Sequence, residues 1–200
     1  MILAQFQSVG RDLFTRGLVS SHSGNLSIRL GERLFITRRG SMLGKLEEHD
    51  LIETGIFRND RSTPFASSEL DVHRAIYKEG HATAIVHAHS PHAVALSFTC
   101  SKIIPRDTEG VALMPEVAVI SFTSKTPREK LVSMIANGLK ESRIVVVKGH
   151  GTFAAGQLME DALHWTTCFE DSCRILHLLM TMEKGQPVRR RRPNLEMAEL

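Results

Sequence analysis

The sequence predicts an α/β protein, and three observations carry that expectation. Apolar residues recur at helical spacing at both ends of the chain, in Ile2, Phe6, Val9 and Leu13 and again from Leu158 to Met182. Between them, short apolar runs such as Arg143-Ile144-Val145-Val146-Val147-Lys148 alternate with further helical stretches. Two of those runs turn abruptly into histidines, Ala84-Ile85-Val86-His87-Ala88-His89 and the Gly149-His150-Gly151 that follows Lys148.

With 200 residues, 42% of them hydrophobic, the chain can bury one substantial core, and no Pro/Gly/Ser-rich linker divides it. A single domain over residues 1–184 is expected, followed by a basic tail, 185–200. The net charge of +3 depends on Arg189-Arg190-Arg191-Arg192 in that tail, so the body is close to neutral. This argues against a nucleic-acid-binding surface. No apolar run approaches the 18 or so residues of a membrane span, and the opening residues lack the charged and apolar regions of a signal peptide. A soluble, cytoplasmic protein without a membrane partner is expected. Cys100, Cys168 and Cys173 form neither an even framework nor a CxxC pair and are expected to be reduced core residues.

In order along the chain, the opening helix ends at Gly17, a residue suited to the left-handed conformation of a helix C-terminus. Alternating Leu26, Ile28 and Leu30, then Gly31-Glu32, then Leu34-Phe35-Ile36 predict a tight hairpin. Small polar turns flank it. Ser21-His22-Ser23-Gly24-Asn25 can form a nest of backbone N–H groups, and Thr37-Arg38-Arg39-Gly40-Ser41 adds two guanidinium groups suited to phosphate oxygens. Neither turn has Walker or Rossmann spacing, which disfavours a nucleotide fold.

A further strand is expected from Asp50 to Phe57. Ser67 and Ser68 are helix N-cap candidates, placing Glu69 in the first turn of a helix with Leu70, His73 or Arg74, and Tyr77 spaced for one face. Glu69 and His73, four apart, share a face, where carboxylate and imidazole could act together. In the following strand His87 and His89 point the same way with alpha carbons about 7 Å apart, so both could reach one metal ion. Ser90-Pro91 then opens a helix, Arg106-Asp107-Thr108-Glu109-Gly110 reads as a polar turn, and Val117 to Ile120 as a buried strand. Thr126-Pro127-Arg128-Glu129 predicts a capping box, with Thr126 as N-cap. The strand from Arg143 to Lys148 delivers a third imidazole, His150, between two glycines, and Thr152 to Ala155 can form a last strand.

The motifs in their order resemble the class II aldolase/adducin family, in its L-fuculose-1-phosphate aldolase branch. The matching stretches are Ser23-Gly24-Asn25-Leu26-Ser27, Ile36-Thr37 with Gly40, Ser67-Ser68-Glu69, Val86-His87-Ala88-His89-Ser90-Pro91 and Lys148-Gly149-His150-Gly151. The resemblance implies a three-layer α/β/α fold with a central mixed, mainly antiparallel sheet. It implies a Zn²⁺ ion, or another divalent metal, held by His87, His89 and His150, with Glu69 as acid/base and fourth ligand before substrate binds. The substrate phosphate would be held by Gly24, Asn25, Gly40, Ser67 and Ser68. The implied reaction is reversible cleavage of a ketose 1-phosphate to dihydroxyacetone phosphate and a small aldehyde, through an enediolate stabilised by Lewis-acid polarisation. Homotetramers with sites between subunits are implied as well. Sugar-phosphate epimerases, a methylthioribulose-phosphate dehydratase and non-catalytic adducin-like modules share the scaffold.

The chain departs from the family pattern at three places. Arg38-Arg39-Gly40 stands where Pro-Ser/Thr-Gly is usual, so Arg39 would replace a hydroxyl donor to phosphate. His22 occupies a position where a small hydroxyl residue is common. Glu109 falls where the aldolase branch has a tyrosine that reaches a neighbouring subunit's site, and the only tyrosine here is Tyr77.

Overall fold

A computed structural model describes residues 2–185. The expected basic tail, including Arg189 to Arg192, lies outside the described residues. Six α-helices and eight strands follow the order α1 (Ile2–Thr15), β1 (Asn25–Leu30), β2 (Arg33–Thr37), β3 (Leu51–Gly55), α2 (Leu70–Glu79), β4 (Ala84–Ala88), α3 (Pro91–Ser97), β5 (Lys102–Ile103), α4 (Thr108–Leu113), β6 (Val117–Ile120), α5 (Arg128–Glu141), β7 (Ile144–Val147), β8 (Gly151–Gly156) and α6 (Met159–Gly185). The strands form one sheet in the order β3-β2-β1-β4-β8-β7-β6-β5. Every neighbouring pair is antiparallel except β6–β7. The expected central mixed, mainly antiparallel sheet is therefore present.

Helices cover both faces, so the inner strands are buried on both sides and read as unbroken apolar runs. In β7, Ile144 and Val146 point into one core with Phe6 and Leu13 of α1 and Phe169 of α6. Val145 and Val147 point into the other, with Val72, Ile76 and Tyr77 of α2 and Ile135 of α5. The first helix closes as its glycine predicts: Leu18 N–H reaches the Leu13 carbonyl at 2.9 Å and Gly17 N–H the Phe14 carbonyl at 3.0 Å, with Gly17 at φ 70°. This paired closure turns the chain back toward β1.

Several local expectations are corrected. Glu69 is itself the N-cap of α2 rather than a first-turn residue, and the Ser67 hydroxyl accepts from Glu69 N–H at 3.2 Å. Thr126 does not cap α5. Its hydroxyl accepts from Thr123 N–H at 3.0 Å, closing the preceding turn, and the helix starts after Pro127. The Arg106–Gly110 segment is not simply a turn, because Asp107 accepts from Gly110 N–H at 2.8 Å and caps the six-residue α4, which carries Glu109. A helix of under two turns is too short to display a period in sequence, and the same holds for the two-residue β5. Cys168 and Cys173 are buried, whereas Cys100 is exposed; all three are free thiols. Among the described residues, no helix is long and apolar enough to cross a membrane.

Phe153 of β8 is fully buried and pairs in register with His87 of β4. Phe153→Ala is expected to lower unfolding stability by about 3–5 kcal/mol, measured by denaturant titration, through lost burial and the cavity left against α2 and β4.

Candidate metal centre

The centre is assembled at one end of the four middle strands. In the antiparallel β1–β4 pair Asn25 lies opposite His87, and in β4–β8 His87 lies opposite Phe153. Residues opposite each other in an antiparallel pair project to the same face. His87 therefore stands between Asn25 and Phe153, and its ring stacks on Phe153 at 4.1 Å between centroids and 16° between planes. The strand pairing ends at Ala88, and His89 N–H leaves the sheet to reach the Leu18 carbonyl at 2.8 Å. His150 occupies the β7–β8 turn, set by Gly149 at φ 70° and by His150 N–H donating to the Val147 carbonyl at 3.0 Å. At Gly151 an added Cβ would collide with the Ala88 carbonyl, so glycine lets β8 approach β4 closely.

The three imidazoles converge. Each offers a nitrogen, and these nitrogens all lie within 4.8 Å of one another. His87 Nε2 and His89 Nε2 are 3.2 Å apart. Two tetrahedral nitrogen ligands at about 2.0–2.1 Å from an ion sit about 3.3 Å apart, so this spacing suits a shared divalent ion. The Nδ1–H of His87 donates to the Thr152 carbonyl at 2.9 Å, which commits the ring's other nitrogen, as a bare lone pair, to the centre. Burial holds the His87 pKa well below the usual histidine range, and neighbouring His150 and His89 push the same way. Burial and then His150 lower that of His89. His87 and His89 are thus held toward the neutral form that a metal requires. On donor type, spacing and fixed tautomer, these residues fit a bound divalent ion.

A cleft of about 220 Å³ opens over the centre, lined by His22, Ser23, Gly24, Asn25, Arg38, Arg39, Gly40, Ser67, Ser68 and Glu69 besides the three histidines. Sequence motifs up to 127 residues apart in the chain, from Ser23 to His150, are therefore one site. On its wall the Thr37–Ser41 turn is bound to the segment that leads into α2: Arg39 N–H donates to the Phe65 carbonyl and Ser67 N–H to the Thr37 carbonyl, at 3.0 and 3.1 Å. Gly24 has φ 77°, and a Cβ there would lie 2.8 Å from the His87 carbonyl, so only glycine brings this turn over the metal strand. The two arginines part company. Arg38 donates to the His49 carbonyl at 3.0 Å and covers the Phe65 ring, whereas the Arg39 side chain is unpaired among the described residues.

Glu69 lines the cleft but is not part of the three-nitrogen group. Its carboxylate, 15% exposed, pairs with Arg128 Nη2 at 3.3 Å. Arg128 is in turn gripped by Asp71 at 2.8 and 2.7 Å. Burial would raise the Asp71 pKa, but its hydrogen bonds and charge pairing with Arg128 prevail and lower it. Arg128 had no signal in the sequence, because it comes from the start of a helix 59 residues beyond Glu69.

The expected partnership of Glu69 with His73 at the substrate does not form. His73 is fully buried, its Nε2 2.6 Å from Asn25 Oδ1 and its Nδ1 2.6 Å from Ser27 Oγ. Glu109 does not line the cleft of its own chain either. It is 63% exposed on α4, 3.8 Å from His164 Nε2.

Two measurements follow from this geometry. His87→Ala is expected to reduce bound divalent metal from about one ion per chain to a small fraction of that, read by elemental analysis, and unchanged metal content would refute the assignment. Burial of His73 lowers its pKa from 6.5 to about 3. Protons are then taken up first by the unfolded chain, so this contribution to stability is complete above pH 6.5 and declines as pH falls from there toward 3. Denaturant titration should show a loss of about 2 kcal/mol from this residue between about pH 7 and pH 5, absent in His73→Phe.

Comparison with known proteins agrees with the architecture. Residues 4–177 match the model of the Class II Aldolase and Adducin N-terminal domain. The chain is 27% identical over 182 residues to an L-fuculose phosphate aldolase of Methanocaldococcus jannaschii, a match covering 90% of this chain and 98% of that one. It is 35% identical over 194 residues to a probable bifunctional methylthioribose-1-phosphate isomerase/methylthioribulose-1-phosphate dehydratase of Nocardia farcinica, covering 86% of this chain and 35% of that protein. The crystal structure of L-fuculose-1-phosphate aldolase from Thermus thermophilus superposes with a TM-score of 0.87 at 34% identity, over 93% of this chain and 97% of that one. A family match running from the first helix into the last, on a sheet with the same architecture, means that this chain belongs to the class II aldolase and adducin family.

Proposed function

We propose that the chain is a metal-dependent sugar-phosphate aldolase. It would cleave a ketose 1-phosphate of the L-fuculose-1-phosphate type, reversibly, to dihydroxyacetone phosphate and a small aldehyde. The observation that carries the reading is the single cleft in which three imidazoles, one carboxylate and an anion cradle face one another. An anion cradle beside a three-histidine centre suits a substrate whose reacting oxygens lie a few bonds from a phosphate. Full-length relatives named as L-fuculose phosphate aldolases support the same reaction.

In this reading His87, His89 and His150 hold a zinc ion, which when bound supplies Lewis-acid polarisation of the substrate carbonyl. Gly24, Asn25, Gly40, Ser67 and Ser68 hold the phosphate, and the start of α2 adds its partial positive charge. Arg39, unpaired on the wall of the cleft, donates to the phosphate in place of a hydroxyl. The Glu69 carboxylate, steadied by Arg128, returns a proton to the carbon freed when the carbon-carbon bond breaks and removes it in the reverse direction. Glu109, outside the cleft of its own chain, would act in a neighbour's cleft within a homotetramer.

The Nocardia relative gives a second reading, dehydration of a sugar phosphate, which needs the same proton-moving carboxylate and no aldehyde. Incubation of the zinc-loaded protein with dihydroxyacetone phosphate and a panel of aldehydes, followed by mass spectrometry, separates the two. The aldolase reading expects a condensation product, and proton exchange with no product from any aldehyde would favour the dehydratase. Glu69→Gln should retain metal yet slow exchange at the dihydroxyacetone phosphate carbon by about a hundredfold or more; exchange at the wild-type rate would remove Glu69 from its role.

A further inference from the structure

Tyr77, Ser27, His73 and Asn25 form one line of hydrogen bonds through the α2 side of the sheet. Tyr77 Oη is 2.6 Å from Ser27 Oγ, Ser27 Oγ 2.6 Å from His73 Nδ1, and His73 Nε2 2.6 Å from Asn25 Oδ1. All four side chains are buried, and only the Asn25 end reaches the cleft. Ser27 has one hydroxyl proton and an uncharged imidazole has one N–H, so the line is set by which ring nitrogen of His73 carries the proton.

In one direction Tyr77 donates to Ser27, Ser27 to His73 Nδ1, and His73 Nε2–H to the Asn25 carbonyl oxygen. Every buried proton then has an acceptor, and the Asn25 amide is left with its N–H groups toward the cleft. With the proton on Nδ1 instead, Asn25 would donate to His73 and His73 to Ser27, leaving Tyr77 and Ser27 one acceptor short between them. One of those two hydroxyl protons would then be buried with no acceptor among the described residues, and Asn25 would show a carbonyl oxygen to the anion site. Both ends favour the first direction.

We propose that this buried line sets the polarity of the Asn25 amide, with His73 as the positioning residue that occupies Oδ1 and so turns the amide N–H groups into the cleft as donors to a substrate phosphate. The proposal rests on the reading above that Asn25 holds phosphate. It also gives α2 a second role, since the helix that presents Glu69 at its start locks a phosphate donor from its next turn.

The direction is tested on the full chain labelled with ¹⁵N in histidine. His73 is expected to show a protonated Nε2 and a bare Nδ1 at neutral pH, and the opposite tautomer overturns the proposal. This measurement needs no variant and stands even if a substitution prevents folding. The consequence is tested by calorimetric titration with inorganic phosphate. His73→Phe is expected to weaken binding about tenfold, the loss of one aligned donor to an anion, while His73→Gln, which can keep a donor near the position of Nε2, stays within about threefold of wild type. Wild-type affinity in His73→Phe, when Asn25→Ala has weakened binding, would overturn the positioning role alone. Wild-type affinity in Asn25→Ala would instead remove the phosphate reading at Asn25, and the proposal with it.

Discussion

The hydrogen bond from His87 Nδ1 to the Thr152 carbonyl is the contact on which the rest of the site depends. It is made across the β4–β8 pair at the middle of an eight-stranded sheet, where His87 is 1% exposed. A buried imidazole is costly unless its polar atoms are engaged, and a strand offers few free acceptors for a side chain. The Thr152 carbonyl meets one half of that demand, and the other nitrogen is left facing His89 and His150. The ring is further held by its stack on Phe153, so a core residue and a backbone carbonyl together aim the lone pair. Removing either support would loosen the ligand before touching the centre itself.

The same strand pairing explains why the proposed phosphate cradle lies beside the histidines. Asn25 is the register partner of His87, and Gly24 passes close to the His87 carbonyl. The distance between the two halves of the site is therefore fixed by sheet geometry rather than by loops, to within the spacing of neighbouring strands. The walls carry the less constrained groups. Arg39 and His22 sit on turns, where the chain can change residue type without disturbing the sheet.

Much of this was legible in the sequence because it is written in short-range patterns. Arg143 to Lys148 reads as a strand from its β-branched residues alone, and β7 occupies Ile144–Val147. The three histidines follow apolar runs, and all of the proposed cleft residues except Glu109 meet in one cleft. What could not be read depends on contacts between distant segments or on competition between close alternatives. Thr126 has the chemistry of an N-cap, but the Thr123 N–H in the preceding turn engages its hydroxyl instead. Glu69 and His73 are four apart, yet His73 points into the core because Ser27 and Asn25 on β1 engage both of its nitrogens. Arg128 joins Glu69 only because α5 packs alongside α2, which no local spacing reveals.

The separation of Glu69 from His73 shows how this site is built. A carboxylate and an imidazole one helical turn apart invite a reading as an acid/base couple, and the fold separates them by burial. Glu69, at the N-cap, faces the cleft and an arginine, whereas His73 is enclosed with Tyr77 and Ser27 and has its pKa lowered to about 3. A histidine so placed cannot exchange protons with substrate at neutral pH, but its fixed tautomer can define where a neighbour's hydrogens lie. A fully satisfied buried polar line of this kind adds rigidity and directionality rather than net stability. In the proposed reading the helix thus serves the cleft twice, by presenting a carboxylate that moves protons and by immobilising an amide that does not.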